Sequence, residues 1–385
     1  MHYFLIAGEA SGDLHGSFLI KALRHRDPEA VVTFLGGDLM AAAAGIEPVI
    51  HIRHMAFMGF SEVLRNLRTI SDNMSAARHA VEAARPDCLI LIDYPSFNLK
   101  MAAFARKFDI PVYYYISPKI WAWKKWRVRD IRRDVRMVFS ILPFEPAFYK
   151  EHRARAVYVG NPSVAEVDYE LTHTEPRTEF LKKRHLPDKP LLALMPGSRR
   201  SEIRNNLRIM TDAARCFPSV QPVIIGAPDT SDSLYAAAGA GLTPVLRATH
   251  ATEILAHCTA ALVTSGTATL ETALAGVPQV VLYRANGSRL SYNLMSAILD
   301  IRFVSLPNLI AGREIVPELL LHHCTAANAA KALSPLLKPD SAPRTAQLEG
   351  YAAMREALGT ADAADNTARA ICADLRRLLS MKSER

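Results

Sequence analysis

Apolar residues in this chain are concentrated in short continuous runs that alternate with stretches of helical periodicity. Continuous runs rich in β-branched and aromatic residues predict strands that are covered on both faces, as in parallel sheets. Such runs occur at residues 3–7, 31–35, 88–92, 112–116, 137–142 and 156–159, and again at 191–195, 223–225, 260–264 and 280–283. The pattern predicts two α/β domains, each built on a parallel sheet.

Between the two sets of strands lies a polar segment, residues 161–190, which contains four prolines. This composition predicts a linker or a domain boundary. Beyond residue 325 only helical signal remains, and the last predicted helix, residues 361–379, follows a glycine and a threonine that suit a stop and a cap. A chain of 385 residues is also too long for one ordinary core, which favours two domains.

Each half opens with a strand that runs directly into a loop of small residues. The first loop contains Glu9 and Ser11, and the second contains Ser198 and Arg199. A helix that begins at such a loop directs its free N–H groups toward it, and this favours a bound anion. We therefore expect two domains that face each other across a cleft, with phosphate chemistry between them.

A third small-residue loop, Ser265, Gly266 and Thr267, lies ahead of a predicted helix in the second half. Small residues let the backbone approach a pyrophosphate, and the hydroxyl groups can add hydrogen bonds. Glu271, one turn into the helix, is placed to accept hydrogen bonds from ribose hydroxyls. Arg199 is the candidate for stabilising a departing nucleotide diphosphate. The alternative for this loop is an ordinary capped helix with an acidic first turn.

Asp93 ends a buried strand at the carboxyl edge of the first sheet, where open α/β folds bind their ligands. A carboxylate at that edge can remove the proton from an attacking hydroxyl. The alternative is an aspartate that caps a helix or stabilises a turn. From the residues alone, the two interpretations have equal weight.

Composition and missing motifs narrow the chemistry. A formal net charge of +8 and a pI near 9.2 indicate an anionic partner, either nucleic acid, a phosphorylated small molecule or acidic lipid. Five scattered cysteines predict reduced thiols in a cytosolic protein. The sequence has no DxD pair and no HExxH, which disfavours metal chemistry, and no GxSxG elbow, which disfavours a serine hydrolase. The glycines after the first strand depart from GxGxxG, which disfavours dinucleotide binding.

No apolar run in the sequence is long enough to span a bilayer. The first residues predict a core strand and not a signal peptide. Two segments are nevertheless candidates for contact with a membrane surface. Trp121, Trp123 and Trp126 fall in a basic segment, which is typical of nucleic-acid binding or of a membrane interface. An apolar helical stripe suits either the core or a lipid-facing helix, and it consists of Phe60, Val63, Leu64, Leu67, Ile70 and Met74.

A series of motifs runs in order along most of the chain. They are AGEASGD at 7–13, MGFSEVL at 58–64, IDYPSFN at 92–98, SPKIWAW at 117–123, LPFE at 142–145, PGSR at 196–199, SGT at 265–267 with Glu271, and VSLPNLIAGRE at 304–314. Together they resemble the motifs of the bacterial lipid-A-disaccharide synthases.

The resemblance implies an α/β protein of the GT-B fold, with two Rossmann-like parallel-sheet domains and C-terminal helices crossing back to the N-terminal domain. It implies an acceptor and membrane-side domain at 1–165, a UDP-sugar-binding domain at 166–345 and returning helices at 346–385. The implied reaction joins UDP-2,3-diacylglucosamine to 2,3-diacylglucosamine 1-phosphate, with inversion, and releases UDP. It implies neither a cofactor nor a metal.

Matched by motif, Asp93 becomes the candidate base for the acceptor 6-hydroxyl. Ser96 stands where many members carry a second aspartate, and this departure leaves Asp93 as the predicted base. The residues expected to bind UDP or substrate are Glu9, Ser11, Ser198, Arg199, Ser265, Gly266, Thr267, Glu271 and Asn308. The residues expected to contact the membrane are Phe60, Val63, Leu64, Leu67 and Ile70.

The resemblance also implies a cytoplasmic protein, peripheral on the inner face of the bacterial inner membrane, and suggests a homodimer. Two other hypotheses remain. A UDP-sugar 2-epimerase shares the architecture but needs no acceptor, so conversion of a UDP-sugar without an acceptor would identify it. A nucleic-acid-binding protein that uses residues 121–136 would bind oligonucleotides in a strongly salt-dependent way, and it would leave the phosphate loops without a role.

Overall fold

The computed structural model describes residues 1–55, 67–121, 125–228, 230–284 and 302–383. The chain divides into two compact units, Met1–Pro162 with Thr360–Arg385, and Ser163–Gly359. Each unit is built on one parallel sheet, as the alternation of apolar runs and helical segments predicts.

The first unit has a seven-stranded sheet in which every neighbouring pair is parallel. Its strands are β1 His2–Ala7, β2 Val31–Gly36, β3 Ile50–His51, β4 Cys88–Ile92, β5 Val112–Tyr115, β6 Met137–Ser140 and β7 Ala156–Tyr158. The spatial order is β3-β2-β1-β4-β5-β6-β7, so the order reverses beside β1. Ala7 pairs with Ile92 at this reversal, and the loops after β1 and β4 therefore begin side by side.

Two helical layers cover this sheet because alternate strand residues face opposite sides. One face packs against helices Ala10–Arg26, Asp38–Ala44 and Ala363–Ser383. The other packs against helices Leu67–Ala84, Pro95–Ala105, Val128–Asp134 and Glu145–Glu151. The C-terminal helix Ala363–Ser383 belongs to the first unit, so the predicted return of the chain is confirmed for this helix. Helix Ala342–Leu358, most of which lies in the segment predicted to return, belongs instead to the second unit.

The second unit repeats the arrangement with six strands in the order β10-β9-β8-β11-β12-β13, again all parallel. They are β8 Leu191–Met195, β9 Gln221–Ile225, β10 Val245–Leu246, β11 Cys258–Thr264, β12 Gln279–Tyr283 and β13 Glu318–Leu320. The reversal lies beside β8, where Met195 pairs with Val263. Here too the loops that follow the two central strands begin at one edge.

The remaining helices belong largely to this unit. They are Pro162–Thr172, Arg177–Lys183, Arg200–Ala214, Asp232–Ala237, Thr252–Leu255, Thr267–Leu274, Leu306–Ala311, Ala326–Leu336 and Ala342–Leu358. Short 3-10 helices occur at Ile52–His54, Arg106–Phe108, Lys125–Arg127 and Leu321–His323. Among the described residues, no helix has both the length and the apolar character needed to cross a membrane.

The structure differs from the sequence prediction in two places. Strands β3, β10 and β13 were not predicted, because each has only two or three residues at a sheet edge and gives no apolar run. The segment 161–190, predicted to be a linker or a domain boundary, does contain the division between the two units, after Pro162, but it is not an extended linker, since it forms helices Pro162–Thr172 and Arg177–Lys183. Pro162 is the first residue of one helix and Pro176 is the N-cap of the other, positions where no proline N–H is needed.

Most of the predicted membrane-contact stripe cannot be placed. Phe60, Val63 and Leu64 lie outside the described residues, and of Leu67 only the backbone is described. Ile70 is half-buried, and Met74 is buried in the core with Ala77 and Val81, at helical spacing. Met74, the last residue of the stripe, therefore packs on the sheet.

Candidate active site

The loops after β1 and β4 bring two acidic residues to the same edge of the first sheet. Glu9 is the N-cap residue of helix Ala10–Arg26, and Asp93 follows β4 directly; both are half-buried. Burial, and after it the negative charge of Glu9, raises the pKa of the Asp93 carboxyl to about 6, against the opposing effects of Lys119 and the Tyr94 amide. Such a carboxylate is largely ionised at pH 7 and basic enough to accept a proton.

The backbone at this point is unusual for residues other than glycine. Asp93 and Tyr94 both adopt the left-handed conformation, with φ of 43° and 49°. The turn lays the Tyr94 ring against Gly8, where a Cβ atom would lie 2.2 Å from a ring carbon. The Tyr94 hydroxyl then donates a hydrogen bond to the Met55 carbonyl at 2.8 Å. Gly8 is therefore required for the two loops to meet.

The capping role considered for Asp93 is not observed. Helix Pro95–Ala105 has Tyr94 as its N-cap residue, without a side-chain cap hydrogen bond. Asp13 is the aspartate with such a role, since its buried carboxylate accepts hydrogen bonds of 2.7 to 3.1 Å from the backbone amides of Gly37, Leu39 and Met40. Ser11 and Ser96 are exposed in the first turns of their helices. The carboxylate of Asp93 is therefore not used to cap the helix that follows it.

A second carboxylate, Glu145, organises the tryptophan-containing segment. It is buried and accepts hydrogen bonds from the Trp121 indole at 2.8 Å, the Ser117 hydroxyl at 3.2 Å and the Ser140 hydroxyl. Burial raises the pKa of the Glu145 carboxyl, against these hydrogen bonds. The loop presents Lys119 to solvent at the same edge, which explains its opposing effect on the candidate base.

This arrangement changes the interpretation of the three tryptophans. Trp121 belongs to the interior, while Trp126 is 62% exposed and Trp123 lies outside the described residues. The segment therefore does not offer Trp121 as a stacking platform for bases.

In the second unit, the loop after β8 is hydrogen-bonded to Glu202, an acidic residue in the first turn of the helix that follows this loop. The backbone amides of Ser198 and Arg199 donate to one oxygen of Glu202 at 3.2 and 3.3 Å, and the Arg199 guanidinium donates to the other at 2.7 Å. Gly197 has φ of 105°, and a Cβ there would lie 2.4 Å from the Glu202 carboxylate. Ser198 and Arg199 are exposed. Two N–H groups and a guanidinium thus converge on one carboxylate, which shows that the loop can hold an oxyanion.

The loop after β11 is open in front of its glycine. A Cβ at Gly266 would meet no atom within 4 Å, so the backbone there is accessible to a ligand. Thr267 is exposed at the first turn of helix Thr267–Leu274, whereas the Ser265 hydroxyl donates to the Val304 carbonyl at 2.8 Å. Of the three residues of this loop that were predicted to contact UDP or substrate, Ser265 is the one whose side chain already makes a hydrogen bond within the protein.

Glu271 is half-buried on this helix, and its pKa is affected by Glu166 and His250, two residues for which the sequence analysis predicted no role. Burial, followed by the charge of Glu166, raises the pKa of the Glu271 carboxyl, while His250 opposes the shift. Glu166 was overlooked because it belongs to helix Pro162–Thr172, in the segment interpreted as a linker. The helical spacing of apolar residues in that segment was the signal that could have revealed it.

Asn308 is fully buried, and its side chain is engaged at both ends. The amide group donates to the Val316 carbonyl at 2.9 Å and to Glu318 at 2.8 Å, and its oxygen accepts from the amides of Ile315 and Val316. Glu318 also accepts hydrogen bonds from the Ser305 hydroxyl and from the Val304 and Ser305 amides. Asn308 therefore holds the loop that Ser265 contacts, and its direct contact with a nucleotide stays a prediction.

A groove of about 1040 Å³ in the first unit lies at the opposite edge of the sheet, around the residues that precede β4 to β7. Seven arginines line it: Arg85, Arg106, Arg132, Arg133, Arg136, Arg153 and Arg155. Helices end at this edge, and basic side chains are favourable near helix C-termini. The arginines thus have a structural reason there, and the groove is not the candidate active site. Within the described residues no group of three or more His, Cys, Asp and Glu side chains is placed to hold a metal ion.

Solved structures of other proteins share this architecture. A UDP-GlcNAc 2-epimerase from Neisseria meningitidis, bound to UDP-GlcNAc, matches with a TM-score of 0.66 at 13% identity, covering 98% of this chain and 100% of that one. A calicheamicin glycosyltransferase matches with a TM-score of 0.56 at 17% identity, covering 98% of each chain. At these identities the likeness shows the fold alone, which is the GT-B fold of glycosyltransferases and sugar-nucleotide epimerases, as predicted.

The chain belongs to the lipid-A-disaccharide synthase family, whose members are glycosyltransferases of the hexosyltransferase type. The family model for lipid-A-disaccharide synthetase matches residues 3–370. The lipid-A-disaccharide synthase of Myxococcus xanthus is 41% identical over 375 residues, 95% of this chain and 96% of the relative. That of Acidobacterium capsulatum is 37% identical over 374 residues, 93% of this chain and 92% of the relative. The resemblance described from the motifs is confirmed.

We predict that Glu9→Gln lowers the pKa of Asp93 below its value of about 6, because the substitution removes a neighbouring negative charge. Titration of the aspartate carboxyl carbons by NMR measures the shift. Glu29→Gln is the matched control, since Glu29 is exposed ahead of β2, at the opposite edge of the sheet. An Asp93 pKa that is the same in Glu9→Gln and in the wild type would contradict this account of the site.

Proposed function

We propose that this protein transfers a 2,3-diacylglucosamine unit from its UDP derivative to the 6-hydroxyl of 2,3-diacylglucosamine 1-phosphate. The products are lipid A disaccharide 1-phosphate and UDP. The observation that carries the proposal is the Asp93 carboxylate, half-buried at the strand-order reversal of the first sheet with a pKa of about 6, in a chain of the lipid-A-disaccharide synthase family.

The chemical step needs one base. Asp93 takes the proton of the acceptor hydroxyl, and the hydroxyl oxygen attacks the anomeric carbon of the donor sugar. The bond from that carbon to the β-phosphate oxygen breaks, and UDP leaves with the electron pair. Because the donor is α-linked and the displacement is single, the new linkage is β. At pH 7 most Asp93 carboxyls are ionised and ready to act, whereas below about pH 6 protonation removes the base.

The leaving diphosphate needs positive charge and N–H donors. Ser198 and Arg199 present both, and these donors are hydrogen-bonded to Glu202. In this proposal a UDP phosphate takes over the donors that Glu202 occupies, and Arg199 carries the charge of the departing group. Gly266 and Thr267 supply the accessible backbone and hydroxyl of the second loop, and Glu271 accepts hydrogen bonds from the ribose.

The substrates suggest where the protein works. Family membership implies a sugar nucleotide and a lipid-linked sugar as substrates. Doubly acylated substrates favour a position on the inner face of the bacterial inner membrane, and the net charge of +8 suits an acidic lipid surface. The homodimer remains part of the proposal, on the family resemblance.

Lipid contact is proposed for the stripe of Phe60, Val63, Leu64, Leu67 and Ile70. Its support is the apolar periodicity of the sequence and the bilayer origin of the substrates. We expect Leu64→Glu to reduce co-sedimentation with vesicles that contain acidic phospholipid, with Asp72→Asn, an exposed substitution on helix Leu67–Ala84, as the control. Unchanged sedimentation of a folded Leu64→Glu protein would exclude the stripe as the contact.

The transfer itself is tested by UDP release from UDP-2,3-diacylglucosamine with and without the acceptor. We expect release to depend on the acceptor, and Asp93→Asn to lower kcat by about 10²- to 10⁴-fold with the affinity for UDP retained, because only the base is lost. Asp72→Asn again controls for the loss of one carboxylate. Release that persists in Asp93→Asn would move the base elsewhere, and conversion of the UDP-sugar without an acceptor would support the epimerase.

The role of Arg199 is tested by UDP binding. Arg199→Ala should raise the Kd for UDP by about ten- to hundredfold, as expected for the loss of a charge-assisted hydrogen bond. Arg200 is the matched control, because it is an exposed arginine one residue further along the same loop and helix start. Isothermal titration calorimetry of both alanine variants measures the difference. Equal losses in the two variants would show that only general positive charge matters.

A further inference from the structure

The peptide that carries Asp93 is held by two side chains beneath the candidate active site. The Tyr114 hydroxyl donates to the Asp93 carbonyl at 2.6 Å, and the Asn98 amide donates to the same carbonyl at 2.7 Å. Asn98 also donates to the Ile92 carbonyl at 3.2 Å. Both side chains are fully buried, so neither is placed to touch a substrate.

These hydrogen bonds are made at the turn after β4, where the backbone adopts an unusual conformation. Asp93 and Tyr94 are consecutive residues in the left-handed region, which side-chain-bearing residues adopt only when their surroundings enforce it. A carbonyl in the interior is costly to leave without a donor, and here two donors meet the Asp93 carbonyl in the orientation that the turn gives it. The hydrogen bonds therefore favour the turn over an ordinary extended exit from β4.

We propose that Tyr114 and Asn98 are positioning residues, which fix the turn after β4 and thereby aim the Asp93 carboxylate at the acceptor hydroxyl. This inference rests on the proposed function, in which Asp93 is the base. The direction of a side chain follows from the φ and ψ angles of its own residue, so a turn that relaxes also re-aims the carboxylate. Displacing a reacting group by about 1 Å is enough to slow catalysis by about a hundredfold.

The fixed turn also determines what surrounds the carboxylate. Glu9 comes from the loop after β1, Lys119 from the loop after β5, and the Tyr94 amide from the turn itself. Their effects are added to that of burial, which is the main cause of the raised pKa. A relaxed turn lets water reach Asp93, and its pKa then falls toward the ordinary value of an aspartate.

The strand that carries Tyr114 provides a matched control. Tyr113 is its neighbour on β5, is also fully buried, and its hydroxyl donates to Asp374 at 2.6 Å on the other face of the sheet. Tyr114→Phe and Tyr113→Phe therefore remove the same group from the same strand, and only the first removes a hydrogen bond to Asp93.

We expect Tyr114→Phe to lower kcat for acceptor-dependent UDP release by about ten- to hundredfold, with KM and the Kd for UDP unchanged. The acidic limb of its pH–rate profile should move to lower pH. Asn98→Leu, which removes the second donor at similar volume, should change both quantities in the same direction. Tyr113→Phe should keep the wild-type kcat and pH profile. Circular dichroism establishes which variants are folded.

The outcomes separate the positioning role from the proposed function. The positioning role would be overturned if Tyr114→Phe folds and has the same kcat and the same acidic limb of the pH–rate profile as Tyr113→Phe. If Tyr114→Phe does not fold, Asn98→Leu is compared with Tyr113→Phe in the same way. Absence of acceptor-dependent release in the wild type would instead overturn the proposed function. In that case NMR titration of the Asp93 carboxyl still decides: a lower pKa in Tyr114→Phe supports the fixed turn, and an unchanged pKa overturns it.

Discussion

The Tyr94 ring rests on Gly8 at a distance that excludes any side chain at that position, and the candidate active site of the first unit is built around this contact. It joins the loops after the two strands that flank the reversal of strand order. The ring reaches Gly8 because Asp93 and Tyr94 turn into the left-handed region. The same turn leaves the Asp93 carboxylate outside the helix cap, where burial and then the charge of Glu9 raise its pKa.

The second unit has the same kind of sheet topology, but its loops are held by hydrogen bonds to carboxylates instead of by a ring packed on a glycine. Its loops at the strand-order reversal are held by carboxylates of the chain: Glu202 binds the amides and guanidinium after β8, and Glu318 binds the loop that Ser265 contacts. An internal carboxylate that orders groups able to bind an anion reduces the entropy lost when a ligand arrives. In the proposed function the first unit provides the base, and the second provides donors for the leaving phosphate.

Much of this was predictable from the sequence. The central strands are apolar on both faces and gave clear runs, and the loops after them were recognisable by small residues and helix starts. Edge strands such as β3 and β10 were missed because two residues carry no periodicity. No role was predicted for Tyr114, or for Asn98 of the motif IDYPSFN, because both act through hydrogen bonds to a backbone carbonyl, and no residue pattern encodes that partner. Asn308 shows the converse, since a motif identified it and the structure revealed what its amide holds.

The central claim is that a single carboxylate, aimed by the turn after β4, drives one direct displacement. The stereochemistry of the product tests this most directly. With an α-linked UDP donor, the account predicts a β-1,6 linkage in the disaccharide, visible in the coupling constant of its anomeric proton by NMR. An α linkage would mean net retention at the anomeric carbon, which a single back-side displacement cannot produce, and it would contradict a mechanism that rests on Asp93 as the one base.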